Sequence, residues 1–157
     1  MKPKVYIETT IVSYLTARPS RDVIVAAHQQ ITDEWWHSCK NNFDLFTSQL
    51  VYTEAQSGDP EASKKRLSLL DSIEMVEVTE EALDLAEELV TKGPLPSKAA
   101  EDAIHIAVTV TNGIDYLLTW NCKHLANAAM RNNIESICRA NGYEPAIICT
   151  PEELLEE

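Results

Sequence analysis

Hydrophobic residues in this chain alternate between short continuous runs and helical spacing. Residues 5–7, Val-Tyr-Ile, combine β-branched and aromatic types, which favours a buried strand. Ile24, Ala27, Ile31 and Trp35 recur three or four positions apart, which predicts the apolar face of a helix. Similar patterns predict strands over residues 4–8, 43–48, 74–78, 115–120 and 146–149. They predict helices over residues 10–17, 22–41, 49–57, 60–70, 80–92, 97–111 and 127–141, and a further helix beginning at 150–153.

The alternation of these strands and helices predicts one class of fold. Strands separated by helices favour a parallel sheet covered by helices on both faces. Ser48, Thr79 and Ser97 stand where helices begin, and we expect each to act as an N-cap. At 157 residues without repeats or a long linker, we expect a single domain over residues 1–157.

Composition indicates where the protein works and which kinds of site it is not expected to contain. Charged residues make up 24% and no apolar run is long enough to span a bilayer, so we expect a cytoplasmic protein without membrane association. The formal charge of −12 counts against a protein that coats nucleic acid, although a bound metal ion supplies positive charge locally. The four cysteines are scattered without a C-x-x-C pair, so a zinc site is not expected.

Acids and hydroxyls follow several of the predicted strands. Glu8 ends the first strand, and Thr119 and Asn121 lie at the end of the fourth. Glu54 lies on the helix after the second strand, and Asp102 lies in the first two turns of a later helix. Because parallel strands end at one edge of a sheet, where α/β proteins bind ligands, these side chains are expected to converge there. Carboxylates in contact repel, and a hard divalent cation with oxygen ligands relieves that repulsion.

Each of these residues also has an ordinary structural explanation. Glu54 alone is more often a solvated helix residue, and Asp102 alone also complements the helix dipole. Asn121 alone most often caps a turn, and Thr9 and Thr119 most often satisfy backbone groups. It is their joint pattern that favours a site. Two other residues lie on the helix of Asp102: Glu101 is expected to point about 100° away, and His105 is expected to have a structural role.

Three segments resemble a known family. They are VYIETTIVSYL, SQLVYTEA and AAEDAIHIAVTVTNGIDYLLTWNCKHLAN, and the third is the most specific. Together they resemble the PIN-domain family and, within it, the VapC-like toxins of toxin–antitoxin pairs. The resemblance spans nearly the whole chain. It implies a three-layer α/β/α sandwich with a five-stranded parallel sheet, and an endoribonuclease that depends on Mg²⁺ or Mn²⁺ and is inhibited by a cognate antitoxin.

The resemblance also implies roles for individual residues. Glu8, Glu54 and Asp102 would bind the metal, and Asn121 would complete the catalytic set. Thr9 and Thr119 are the expected substrate contacts, RNA is the expected substrate, and a homodimer is the expected assembly. Residues 18–40 carry many apolar side chains, so we expect this region to contribute to a protein interface.

Two other functions compete with the nuclease hypothesis. The first is a catalytically weak PIN-like module for protein binding, favoured because Glu8 replaces the usual Asp and because Asn121 is neutral. The second is a phosphorelay receiver, which also gathers acids at strand ends. A receiver needs an acidic pair after its first strand, whereas Glu8 here is followed by hydroxyls, so this hypothesis ranks last.

Overall fold

A parallel sheet forms the centre of the protein in a computed structural model that describes residues 1–155. The strands are β1 (Lys4–Ile7), β2 (Asp44–Ser48), β3 (Glu74–Val76), β4 (Tyr116–Leu118) and β5 (Ile147–Cys149). Their order across the sheet is β3-β2-β1-β4-β5, and every neighbouring pair is parallel. The central strand β1 is buried because both of its edges are paired and helices cover its faces, which suits the apolar run Val5–Ile7.

The helices connect these strands and complete a three-layer α/β/α sandwich. They are α1 (Thr9–Thr16), α2 (Val23–Ser38), α3 (Gln49–Ala55), α4 (Pro60–Leu70), α5 (Glu80–Thr91), α6 (Ala100–Thr111) and α7 (Ala128–Ala140). Helix α1 contacts α2, α3 and α4, whereas α5 packs against α6 and α7. Short 3₁₀ turns over Lys40–Asn42 and Ser97–Ala99 precede β2 and α6. Within the described residues, no helix has the length and apolar character needed to cross a bilayer.

Helix α2 is rotated relative to the face that its sequence predicts. Ile24 is 68% exposed, whereas Gln29 and Thr32 are buried beside Trp35. Burial of Gln29 is tolerated because its amide accepts a hydrogen bond from Ser20 N and donates one to the backbone carbonyl of Arg18. These hydrogen bonds avoid the desolvation cost of leaving the buried amide of Gln29 without partners.

Three smaller predictions about helix ends were wrong. The Ser48 side chain does not cap α3, because its hydroxyl is engaged by Tyr6 instead. Ser97 begins a 3₁₀ turn, and α6 starts at Ala100 without a side-chain cap. Residues 151–154 form turns rather than a helix, held by hydrogen bonds such as that from Glu153 N to Thr150 O.

Candidate active site

Glu8 lies at the carboxyl end of the central strand and is almost completely buried, with 4% of its surface exposed. Its backbone N–H donates to Leu118 O, so the residue is still held in the sheet. Its carboxylate oxygen Oε1 accepts hydrogen bonds from the Thr10 hydroxyl at 2.6 Å and from the Thr119 hydroxyl at 2.5 Å. Within residues 1–155, no donor reaches the second oxygen, Oε2. One oxygen is therefore fixed by the protein and the other remains available to a ligand.

Glu54 enters the same site from the last turn of α3. Its Oε1 accepts from the Thr9 hydroxyl at 2.5 Å and from His105 Nε2 at 2.8 Å. Burial disfavours the charged carboxylate. The hydrogen bond and charge of His105, together with the Thr9 hydrogen bond, outweigh that penalty and lower the pKa of Glu54. The carboxylate is therefore stabilised in its ionised form.

Behind Glu54, a chain of buried hydrogen bonds leads into the core. The His105 ring is fully buried, and its Nδ1 lies 2.8 Å from the hydroxyl of Tyr6, which lies 2.7 Å from the Ser48 hydroxyl. Burial disfavours the imidazolium, but the Glu54 hydrogen bond and the surrounding acids outweigh this and raise the pKa of His105. Burial likewise raises the pKa of Tyr6, which stays a neutral phenol. This chain fixes the position of Glu54.

Glu101 also contributes to the acidic site, contrary to the helix-face prediction. Its carboxyl group interacts with that of Glu54, and this hydrogen bond is the main reason that the pKa of Glu101 is raised. Desolvation and the negative charges of Glu54 and Asp102 raise it further. Glu101 and Asp102 therefore both act on the site although they are adjacent on α6.

Asp102 is held by residues that follow β4. Its Oδ1 accepts a hydrogen bond from Asn121 Nδ2 at 3.1 Å, and its Oδ2 lies 3.1 Å from His124 Nδ1. Asn121 also caps the following turn, because its Oδ1 accepts from the backbone N–H groups of Lys123 and His124. Asn121 therefore caps a turn, as its ordinary structural explanation predicts, and its amide also donates to an acid of the site.

The donor set fits a divalent metal ion. Ligand atoms of Glu8, Glu54 and His105 all lie within 4.8 Å of one another. The two carboxylates supply the oxygen ligands that Mg²⁺ and Mn²⁺ prefer. His105 is the less suitable member, because both of its ring nitrogens are engaged by Glu54 and Tyr6. Asp102 lies outside this tight cluster, but its charge, like those of Glu8 and Glu54, acts on His105.

The sequence-predicted residues therefore occupy one region in two connected groups. Glu8, Glu54, Thr9 and Thr119 form the first, and Asp102 and Asn121 form the second. Thr119 is fully buried and donates to Glu8, so its side chain positions an acid rather than facing a substrate. The sequence prediction missed the following participants: Tyr6, Ser48, Thr10, Glu101 and His124. The hydroxyl run after Glu8 and the His124 close after Asn121 were the available signals.

Comparison with known proteins identifies the family of this chain. The model of the PIN domain matches residues 5–126, which include every acid described above. The chain belongs to the PIN domain family. No curated protein sequence matches it significantly.

Two solved structures of VapC proteins share the PIN fold of this chain. One is VapC20 of Mycobacterium tuberculosis, described as a toxin that cleaves the sarcin–ricin loop. It has a TM-score of 0.61 and 16% identity, and the match covers 76% of this chain and 92% of VapC20. The other is VapBC2 of Rickettsia felis, bound to a DNA fragment from its promoter. It has a TM-score of 0.60 and 16% identity, with coverage of 93% and 97%.

Proposed function

We propose that this PIN domain protein is an endoribonuclease that depends on Mg²⁺ or Mn²⁺ and is restrained in the cell by a cognate antitoxin. The observation that carries the proposal is the convergence of Glu8 and Glu54, with Asp102 and Asn121 beside them, at the carboxyl edge of the sheet. In this proposal Glu8, Glu54 and Asp102 hold the ion. When bound, such an ion stabilises negative charge on a phosphodiester and lowers the pKa of coordinated water.

The protein's own residues hold these acids in place. Thr10 and Thr119 fix Oε1 of Glu8, so Oε2 would be the oxygen left to bind an ion. Thr9 and His105 fix Oε1 of Glu54 in the same way. Asn121 binds Asp102 through its amide N–H, so the neutral side chain orients an acid instead of adding a charge. Glu8 is one methylene longer than Asp, and its two threonine partners restrict that extra freedom.

The test combines thermal melts with a cleavage assay on unstructured RNA. A ligand that binds only the folded state stabilises it by about 2.7 kcal/mol at a hundredfold excess over its Kd. For a chain of this size that corresponds to a rise in Tm of roughly 5–11 °C with Mn²⁺. Asp102→Asn and Glu54→Gln keep the shape of each side chain but remove its charge. We expect both variants to show a smaller rise and to lose RNA cleavage, whereas Asn121→Asp should bind metal more tightly.

The second candidate is a catalytically weak PIN module that associates with proteins, and Asn121 is the residue that favours it. It predicts that the wild type binds Mn²⁺ but leaves RNA intact, whereas Asn121→Asp cleaves it. Equal metal-induced stabilisation of the wild type and Asp102→Asn would show that the acids do not form one site, and would refute the nuclease proposal.

The partners belong to the same proposal. Val23 is 83% exposed and Ile24 is 68% exposed at the start of α2, and these apolar surfaces support an interface with an antitoxin or a second copy. We expect a short neighbouring gene to encode a DNA-binding segment with a helical tail, and its product to inhibit cleavage at a stoichiometric ratio. Sedimentation should show a dimer or a complex. A strict monomer at micromolar concentration, with no partner recovered from cells, would contradict this assignment.

A further inference from the structure

Three aromatic rings stand together beside the acidic site. The rings of His28 and Trp120 lie face to face, with centroids 4.0 Å apart and planes inclined by 10°. Tyr14 adjoins both, at 6.4 Å from His28 and 6.3 Å from Trp120, inclined by less than 30° in each case. All three side chains are half-buried, so each keeps surface in contact with solvent. They come from three separate elements: α1, α2 and the segment after β4.

The indole of Trp120 is held in a fixed orientation. Its Nε1–H donates to the Thr32 hydroxyl at 2.7 Å, and that hydroxyl donates in turn to the backbone carbonyl of His28 at 2.6 Å. Thr32 is completely buried on α2, one turn after His28. Because the buried threonine ties the indole to the helix that carries the imidazole, the two rings are preorganised as a stack.

This stack is continuous with the acidic site through the backbone. Trp120 lies between Thr119, which binds Glu8, and Asn121, which binds Asp102. The backbone N–H of Trp120 donates at 2.9 Å to the Thr10 hydroxyl, which itself donates to Glu8. Consecutive Cα atoms are about 3.8 Å apart, so the Trp120 Cα lies that close to those of both flanking site residues.

The negative net charge of the protein favours a binding mode that does not depend on phosphate charge, such as base stacking. At −12 the chain repels a polyanion, so contacts that depend on phosphate charge contribute little to binding of RNA. Stacking of an unpaired base on an aromatic side chain needs no charge complementarity, since every base has a π-face. An aromatic ring with a purely structural role can be fully buried, as Trp35 is with 0% exposure. The three rings beside the site are instead partly exposed to solvent.

We propose that Tyr14, His28 and Trp120 form a platform on which an unpaired base of the nucleic acid stacks, next to the phosphodiester at the acidic site. The proposal rests on the proposed nuclease function and names how that site holds its substrate. It predicts a preference for single-stranded RNA, because a base paired within a helix cannot reach the ring faces.

Kinetics with a matched control test the platform. Base stacking on one aromatic residue corresponds to about a 5- to 150-fold change in affinity. Trp120→Leu removes the π-face and the indole hydrogen bond to Thr32, but keeps an apolar side chain and the backbone hydrogen bond to Thr10. We expect it to raise KM for unstructured RNA by that factor, with kcat changed little, and Trp120→Phe to recover most of the loss. Trp36 is a half-buried tryptophan in a depression at the amino end of β2, away from the acids, so Trp36→Leu should leave KM unchanged.

A spectroscopic measurement separates this proposal from the nuclease function. Protein labelled with 5-fluorotryptophan gives one ¹⁹F signal for each of three tryptophans, and Trp120→Phe assigns the relevant one. A single-stranded adenosine hexamer in Mg²⁺ should shift the Trp120 signal and not that of Trp36, in the wild type and in Asp102→Asn. If RNA is not cleaved but the Trp120 signal shifts, the nuclease function fails and the platform stands. If RNA is cleaved while the Trp120 signal is unmoved, or while Trp120→Leu keeps the wild-type KM, the platform is refuted.

Discussion

At the scale of single residues, the site depends on hydroxyl groups that hold acids in place. Thr10 and Thr119 donate to the same oxygen of Glu8, and Thr9 donates to Glu54. Glu8 attracted attention in the sequence because it follows an apolar strand, whereas Thr9 and Thr119 were predicted as substrate contacts and their hydrogen bonds to acids were not predicted. Which acceptor a threonine hydroxyl finds depends on its rotamer and on residues distant in the sequence. For Thr119 the acceptor, Glu8, is more than a hundred positions away, so no local sequence pattern could predict it.

Substitution of Thr119 by valine tests the support given to Glu8. Valine keeps the volume of the buried side chain but removes a hydrogen bond to a carboxylate, which costs about 1.5–3 kcal/mol. We expect the Tm of the metal-free protein to fall by roughly 3–12 °C in thermal melts. Thr111→Val is the control, because that hydroxyl bonds only to carbonyls of its own helix. Equal losses in the two variants would argue against a special role for the Thr119 hydroxyl.

Glu101 provides a prediction with a pH dependence. Its pKa is raised in the folded protein by the hydrogen bond to Glu54, by desolvation and by nearby charge. A carboxyl group whose pKa is raised by folding destabilises the folded protein at pH values above that raised pKa, where it is ionised. This destabilisation disappears as the pH falls from the raised pKa to the pKa of the unfolded chain. Glu101→Gln should therefore raise the Tm of metal-free protein at pH 7.

The same variant should match the wild type more closely at pH 4 than at pH 7. Melts across that range, with Glu77→Gln as an exposed control, measure the difference directly. If the two proteins differ by the same amount at every pH, the electrostatic account of Glu101 is wrong.

At the scale of elements, the sequence predicted the five strands, their parallel class and the seven main helices within a few residues of their observed ends. Short apolar runs such as Val5–Ile7 and Ile147–Cys149 carry that information locally. It did not predict which face of α2 is buried. The apolar spacing of Ile24, Ala27 and Ile31 was misleading, because the packed face carries polar groups whose partners lie in other elements.

The observed orientation of α2 therefore predicts stability effects opposite to those expected from side-chain hydrophobicity alone. Ile24→Gln replaces a 68% exposed side chain, so its effect on the free energy of unfolding should stay within about 0.5 kcal/mol. Gln29→Leu adds an apolar residue to a buried position but removes two hydrogen bonds to the loop before α2. At about 0.5–1.5 kcal/mol for each bond, it should cost about 1–3 kcal/mol.

Urea unfolding of these two variants measures both changes. If the more hydrophobic Gln29→Leu variant is stabilised and the Ile24→Gln variant is strongly destabilised, the orientation of α2 described here is incorrect.

At the scale of the whole molecule, net charge bears on the proposed binding of RNA. With −12 overall, RNA binding in EDTA should be barely detectable by filter retention. In Mg²⁺ binding should appear, with a shallow salt dependence. Each phosphate neutralised on a single strand contributes about −0.7 to the slope of log K against log salt. Two or three contacts, made by the ion and by cations such as Lys98 and Lys123, give a slope of about −1.4 to −2.1.

A matched pair of cation variants completes this experiment. Lys123→Gln should make the slope shallower by about 0.7, the contribution of one phosphate contact. Lys64→Gln on α4 should leave the slope unchanged. Tight retention of RNA without metal would contradict the mechanism and would imply a basic groove on the protein.

The order of the strands also constrains when the protein becomes competent during synthesis. The strand made first, β1, occupies the centre of the sheet, and one of its two edges is completed only by β4, more than a hundred residues later. A nascent chain that has reached β3 holds Glu8 and Glu54, yet lacks Thr119, His105 and Asp102. The ribosome that makes the protein therefore carries an incomplete site until the segment after β4 has left its exit tunnel. Vectorial synthesis delays assembly of the acids until the second half of the chain can fold onto the first.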